Sequence, residues 1–157
     1  MGTDRAAPAT ADFSVELPVR WADCDPARVV FYPNYFAYFE DALRAFVEHR
    51  GTSWTRLMEG QGLFFPRVEA QARYLAPASY DDRIRVSLRV QEVTRKILTM
   101  GWVMRRCHDE RVVAEGHVKF AVIRPEPGAT GDPRAIEVPP EVAAIFGGGE
   151  SATGRGQ

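Results

Sequence analysis

A chain of 157 residues with 45% apolar and 26% charged side chains has room for one domain and a sizeable core. Its formal net charge of −1 gives no reason to expect general attraction to nucleic acid or an anionic membrane surface. Two cysteines, Cys24 and Cys107, are too few for a disulfide framework or a cysteine metal site, and no apolar run is long enough to span a bilayer.

Residues 1–12 (MGTDRAAPATAD) are small, polar and proline-containing, with no signal-peptide core; they read as a disordered leader of a cytoplasmic protein. Phe13, Val15, Leu17, Val19 and Trp21 then recur at every second position, as in a half-buried strand. Pro18 places that strand at an edge or a bulge, because proline cannot donate to a ladder.

The stretch from Trp21 to Arg50, WADCDPARVVFYPNYFAYFEDALRAFVEHR, organises the rest. Two carboxylates, Asp23 and Asp25, are closed off by Pro26, and a short apolar run (Val29-Val30-Phe31) follows. Tyr32-Pro33-Asn34 marks a helix start, since proline is favoured at the first helical position. No glycine or further proline intervenes before Arg50, so roughly five helical turns fit. Phe36, Phe39, Leu43, Phe46 and Val47 form its apolar stripe, while Asp41, Arg44 and Glu48 fall on other sides. Gly51 suits the C′ position, and Thr52-Ser53 can cap a short second helix ending at Met58. An acidic loop is thus expected beside the positive end of a long helix, which suits attack on a carbonyl and stabilisation of an oxyanion.

The second half reads as strands. Val68–Leu75 alternates; residues 77–82 (PASYDD) make a turn; and Ile84, Val86, Leu88 and Val90 alternate with Arg83, Arg85, Ser87, Arg89 and Gln91. Ile97–Arg106 and Val112–Arg124 follow, joined by a turn at CHDER (107–111), and Pro125 ends the last. The short gaps favour antiparallel hairpins. RAIEV (134–138) leads through two prolines into a short helix at 141–146, and residues 147–157 read as a flexible tail. One strand, one long helix and four long antiparallel strands make an α+β domain over residues 13–146. A sheet of this length can curl around the helix, which is the hotdog architecture, with about five strands.

The strings Asp23-Cys24-Asp25-Pro26-Ala27 and Tyr32-Pro33-Asn34-Tyr35 resemble the 4-hydroxybenzoyl-CoA thioesterase family of hotdog proteins, its pseudomonad-type branch in particular. The resemblance continues in Ser79-Tyr80-Asp81-Asp82, in Arg95-Lys96 and from Arg134 to Pro139, so it spans nearly the whole domain. It implies hydrolysis of an acyl-CoA thioester with no metal or other cofactor, coenzyme A being part of the substrate. It places the catalytic carboxylate on Asp25 and the oxyanion donor on the Tyr32 backbone N–H. It places the phosphate contacts of coenzyme A on Arg95, Lys96 and Arg134. It also implies a homo-oligomer, a dimer pairing its sheets or a tetramer, with each site drawing on two subunits; neither nucleic acid nor membrane is a partner.

Two departures from the family pattern stand out. Arg28 occupies a loop position where the family usually has glycine; either the loop takes another path or the guanidinium meets the substrate or coenzyme A. Glu40 stands where the pseudomonad-type enzymes use an aspartate on the substrate hydroxyl, and it is the reserve candidate for the catalytic acid.

The residues also support this chemistry without the resemblance. A thioester carbonyl is poorly resonance-stabilised, and a carboxylate can attack it directly or activate water. Against that, an aspartate before proline is often only a turn former, and Asp23 reads as structural or as a partner of Asp25. Charged residues at a hairpin bend, such as Arg95 and Lys96, are commonly just solvated. The many arginines suit phosphate recognition and equally suit a biased base composition. None of His49, His108 and His117 sits in a nucleophile motif, and Cys24 has no activating base. Two other readings remain open at this point: a thioesterase acting on an acyl-carrier protein, and a non-catalytic acyl-CoA-binding hotdog protein.

Overall fold

The computed structural model describes residues 12–147; the expectations for residues 1–11 and 148–157 fall outside that span. Five strands form one antiparallel sheet: β1 (Phe13–Pro18), β2 (Arg67–Tyr74), β3 (Arg83–Val93), β4 (Ile97–Arg106) and β5 (Val112–Ala121). Their spatial order is β1-β3-β4-β5-β2. The proline-bearing β1 lies at one edge, as Pro18 requires, and β2 lies at the other. Asp12, at the end of the expected leader, is already tied to the sheet. Its N–H donates to the Leu88 carbonyl at 2.9 Å, and its carboxylate accepts the Val90 N–H at 2.7 Å.

The long helix α1 (Tyr35–His49) lies across one face of the sheet. Tyr35, Tyr38, Phe39, Ala42, Leu43, Phe46 and Val47 are buried along it, a wider stripe than the aromatic and aliphatic spacing alone suggested. They meet Ile84, Val86 and Leu88 of β3, Met100, Trp102 and Met104 of β4, and Val118 and Phe120 of β5 in one core. These strand residues are spaced by two, so the same strands turn Arg85, Ser87 and Arg89 to the opposite face. Phe39 stacks on Phe120 with ring centres 6.3 Å apart, and Phe36 stands edge-on to Trp102 at 5.8 Å. The fold is therefore the hotdog: a long helix held against a curved antiparallel sheet.

Three local expectations need adjustment. Tyr32–Asn34 forms a separate 3₁₀ turn, and the α-helix begins only at Tyr35. The short second helix becomes a π-type turn at Arg56–Gly60, pinned by the buried Leu57. The last strand ends at Ala121, because Phe64 takes over pairing with Ile123 through reciprocal bonds of 3.0 and 2.9 Å. Residues 134–138 run extended along the sheet end, with Ile136 N–H on the Val122 carbonyl and Val138 N–H on the Arg95 carbonyl. The closing helix α2 spans Pro140–Phe146 and buries Val142 and Phe146.

Gly116 of β5 shows how tightly the sheet is closed. A Cβ there would lie 1.9 Å from the Gln71 carbonyl oxygen and 2.8 Å from Cζ2 of Trp102. Both neighbours are constrained, one by the β2–β5 ladder and the other by the core. Gly116→Ala is expected to lower stability by about 1–3 kcal/mol through overpacking, measurable as a lower urea midpoint with little change in slope.

Candidate active site

The acidic loop folds into a small hairpin. Cys24 pairs with Val30, the Asp25 N–H donates to the Val29 carbonyl at 2.9 Å, and the Arg28 N–H donates to the Asp25 carbonyl at 2.8 Å. This is a three-residue connection of the kind that turns and then places its last residue in the left-handed region. Arg28 takes that role, with φ of 66°. The loop thus keeps the path a glycine would give, at a cost of about 1–2 kcal/mol for a residue with a Cβ. The Asp25 carboxylate accepts the Ala27 N–H at 2.8 Å through Oδ1, and its side chain is half-buried. No second bond of a described residue engages this carboxylate, so Oδ2 remains available for chemistry.

The hairpin is fastened to the start of the helix at its base. The Asp23 carbonyl accepts both the Phe31 N–H at 2.9 Å and Nδ2 of Asn34 at 2.9 Å. Asn34 is therefore not used as a side-chain cap for α1; it clamps the acid loop instead. The Asp23 carboxylate points to the helix, where it accepts from Tyr38 Oη at 2.8 Å and Arg20 Nε at 2.6 Å. Arg20 also reaches Asp41 at 3.1 Å and lies over the Tyr38 ring. Burial is the main cause that pushes the Tyr38 hydroxyl up to about 12, so it stays a protonated donor to Asp23. On the far side Val30 N–H donates to Ala78, and Tyr80 N–H donates to Arg28, so the 78–82 turn braces the loop.

Tyr32 is the first residue of the 3₁₀ turn; Pro33 has no N–H, the Asn34 N–H donates to the Phe31 carbonyl and the Phe31 N–H to the Asp23 carbonyl, so the Tyr32 N–H is the amide of this turn that precedes the helical ladder. That amide and the dipole of the 15-residue α1 give this tip partial positive charge. Cys24 is no rival to Asp25: burial first, then Asp23 and Asp25, push its thiol up and away from the thiolate form. Exposed aromatic rings flank the loop on two sides, Phe31, Tyr32 and Tyr74 on one, Trp21 and Tyr80 on the other.

The other residues singled out from the sequence lie further off. Glu40 sits on α1 five residues past Tyr35, about 8 Å along the axis. Its carboxylate is held by Arg67 at 3.0 and 2.6 Å, and Arg67 rests on the Phe120 ring at 4.7 Å and near Trp54 at 5.8 Å. This pair borders a recess of about 360 Å³ that Trp54, Met58 and Phe65 also line. Arg95 and Lys96 are exposed at the β3–β4 turn, with Arg95 3.4 Å from Glu137. The backbone bond from Val138 to Arg95 brings the segment carrying Arg134 to the same end of the sheet. That end is the opposite one from the acid loop, since β3 starts beside Asp82 and runs for 11 residues, roughly 35 Å, before the turn. The structure therefore brings Asp25, Arg28 and Tyr32 together, groups Arg95 and Lys96 with the Arg134 segment, and separates the two groups within one chain. A larger recess of about 460 Å³ opens on the sheet face away from α1, remote from the acid loop. Among the described residues no three of the His, Cys, Asp and Glu side chains converge as a metal ion would require, and no helix is long and apolar enough to cross a membrane.

Sequence reasoning missed Asn34 as the loop clamp and Arg67 as the partner of Glu40. Asn34 was visible as a capping-type residue at a helix start; nothing local to Arg67 marks a partner 27 residues away.

A long helix held against a five-stranded antiparallel sheet makes this a hotdog protein, and the proteins it matches are thioester hydrolases. The chain belongs to the thioesterase-like superfamily, whose family model matches residues 19–146. It is 27% identical over 134 residues to the acyl-CoA thioesterase YbgC of Haemophilus influenzae, covering 85% of this chain and 93% of that protein. It is 32% identical over 94 residues to the 1,4-dihydroxy-2-naphthoyl-CoA hydrolase of Thermosynechococcus vestitus, covering 60% of this chain and 64% of that one. The solved structure of 4-hydroxybenzoyl-CoA thioesterase from Pseudomonas sp. strain CBS-3 superposes with a TM-score of 0.76 at 25% identity, over 85% of this chain and 97% of that one.

Asn34→Ala tests the clamp on its own. Losing the bond to the Asp23 carbonyl is expected to cost about 1 kcal/mol of stability. Amide exchange at residues 23–31 should quicken well before the rest of the sheet is affected; unchanged exchange there would show that the loop is held by other means.

Proposed function

We propose that the protein is an acyl-CoA thioesterase acting on aromatic acyl groups, with the Asp25 carboxylate as the nucleophile or general base. The observation that carries this reading is the Asp25 turn, fixed by backbone bonds at the amino end of α1, with one carboxylate oxygen uncommitted. An ionised acid there can attack the thioester carbon or take a proton from an attacking water. The oxyanion formed is met by the Tyr32 amide and the helix dipole, which are in place before reaction. Collapse of the tetrahedral species expels the coenzyme A thiolate, which takes up a proton drawn from water; after direct attack, water opens the mixed anhydride on Asp25 to release the free acid, and this reading calls for no cofactor besides the substrate. Named relatives that act on naphthoyl-CoA and hydroxybenzoyl-CoA esters support an aromatic acyl group, as do the exposed rings about the loop. Glu40 faces the acyl group in this reading, already neutralised by Arg67.

Phosphates of coenzyme A are assigned to Arg95, Lys96 and Arg134. Because these stand at the far end of the sheet from Asp25, the working site is assigned to two subunits, the acid of one and the cations of its partner. The open edge of β2 supports such an assembly: Val68 and Tyr74 are exposed on it, at 55% and 45%, and an uncovered edge invites pairing with a second copy.

Asp25→Asn keeps the bond to Ala27 and the fold but removes the anion. Its turnover of benzoyl-CoA or hydroxybenzoyl-CoA is expected to fall about 10²–10⁴-fold, with the melting temperature close to wild type. Full activity in that variant would end the assignment. A second measurement tests the two-subunit site. Co-expressing Asp25→Asn chains with chains carrying Arg95→Glu, Lys96→Glu and Arg134→Glu should restore part of the activity that each lacks alone at low substrate concentration. If one chain supplied both halves, mixing would restore nothing.

A further inference from the structure

The residue that departs most from its conformational preference lies in the acid turn itself. Arg28, at φ of 66°, occupies a place where glycine would be unstrained. Two other non-glycine residues have positive φ, Asp81 and Glu110; Glu110 is engaged by Arg85 through two bonds of 2.8 Å. Arg28 has no such engagement. Its side chain is exposed, and no carboxylate among the described residues pairs with it. Neighbouring arginines differ: Arg20 is held by Asp23 and Asp41, and Arg106 by Asp109. The Arg28 carbonyl accepts the Tyr80 N–H at 3.2 Å, and the Tyr80 ring stands edge-on to Trp21 at 5.1 Å. A strained, uncompensated cation and two exposed aromatic rings therefore border the turn that presents Asp25. The backbone of Arg28 closes the hairpin, a task glycine would do unstrained, so an arginine side chain kept there points to use at a site.

We propose that Arg28 binds an anionic group carried by the acyl moiety, so that the preferred substrates are aryl thioesters bearing a second acidic substituent. This rests on the reading of Asp25 as the acid that works on the thioester. The choice of the acyl side follows from the chemistry of coenzyme A. Its phosphates are separated from the thioester by the whole pantetheine arm, whereas Arg28 stands on the same three-residue turn that Asp25 opens. Arginine can form two parallel charge-assisted bonds to such a carboxylate, and the aromatic rings supply faces for the aryl group.

The test compares wild type, Arg28→Gly and Arg28→Lys on benzoyl-CoA, 4-carboxybenzoyl-CoA and the N-acetylcysteamine thioesters of both acids. Arg28→Gly is expected to lower kcat/KM for the carboxylated substrates at least about tenfold on either carrier, as loss of a charged hydrogen bond would. Benzoyl thioesters should change little, and Arg28→Lys should recover part of the loss. The glycine variant should melt no lower than wild type and elute at the same volume, because it relieves the backbone. An equal loss on all acyl groups overturns the proposal, and so does a loss confined to coenzyme A carriers, which would place the phosphates there. A lower melting temperature or a changed assembly also overturns it, making Arg28 structural. Should wild type hydrolyse none of these thioesters, the proposed aromatic acyl specificity falls by itself. Arg28 is then judged by calorimetric titration of terephthalate and benzoate into wild type and Arg28→Gly, where no preference for the diacid refutes its role.

Discussion

The Asp23 carbonyl, taking one hydrogen bond from the Phe31 amide and another from the Asn34 side chain, is the constraint from which the site follows. It ties the end of a loop to the start of a helix, so that the Asp25 turn and the helix tip cannot drift apart. Neither feature alone would be a site. A helix tip without a fixed acid offers only partial charge, and an acid on an unanchored loop would spend most of its time in water. The two bonds join them with backbone and amide groups and leave Asp25 Oδ2 without a partner among the described residues.

That arrangement explains the division of labour between the two aspartates of the motif. Asp23 is consumed by Arg20 and Tyr38, and through Arg20 it is linked to Asp41 on α1. Its carboxylate holds the loop against the helix flank, while its carbonyl holds the loop against the helix tip. Asp25, two residues on, opens the hairpin turn and among the described residues receives only the local Ala27 amide. Two acids of the same chemistry thus differ in their partners because Asp23 closes the 3₁₀ turn at Trp21–Asp23 whereas Asp25 begins the tight turn that follows.

The sheet was largely legible in the sequence, and the reason lies in its outer face. β3 alternates cleanly because Arg85, Ser87 and Arg89 meet solvent while Val86 and Leu88 meet the helix, so composition and geometry share one period. The end of β5 was not legible in this way. Val122 and Ile123 are as apolar as the strand before them, but they pair with the 64–65 loop and the 136 segment, partners set by tertiary contacts. The π-type turn at Arg56–Gly60 is likewise a product of burying Leu57, for which five residues of sequence give no period to read. The acid motif stood out as a string, yet its clamp did not, because Asn34 looks like an ordinary helix cap until its side chain is seen facing backwards. Arg28 marked a departure that left open a different loop path or a guanidinium turned to the substrate or coenzyme A. The bonds closing the hairpin on both sides of it, Asp25 to Val29 and Tyr80 to Arg28, fix the loop path as the strained one.

On the proposed reading, the same compactness that makes the acid turn rigid also makes a single chain insufficient. The sheet places the acid turn with the 78–82 turn at one end and Arg95, Lys96 and the Arg134 segment at the other. A helix of 15 residues lies between, its buried face fully occupied by core packing. A long substrate cannot pass through that core, and running round the outside would expose its acyl end to water at the point where water must be controlled. A second copy set along the open β2 edge offers a shorter route, since it brings a remote end of one sheet near the acid end of another without changing either fold. The unpaired edge and the divided site are then two consequences of one geometric fact. The domain is too small to surround its substrate, so the surfaces it leaves uncovered are those from which a pocket can be made by pairing.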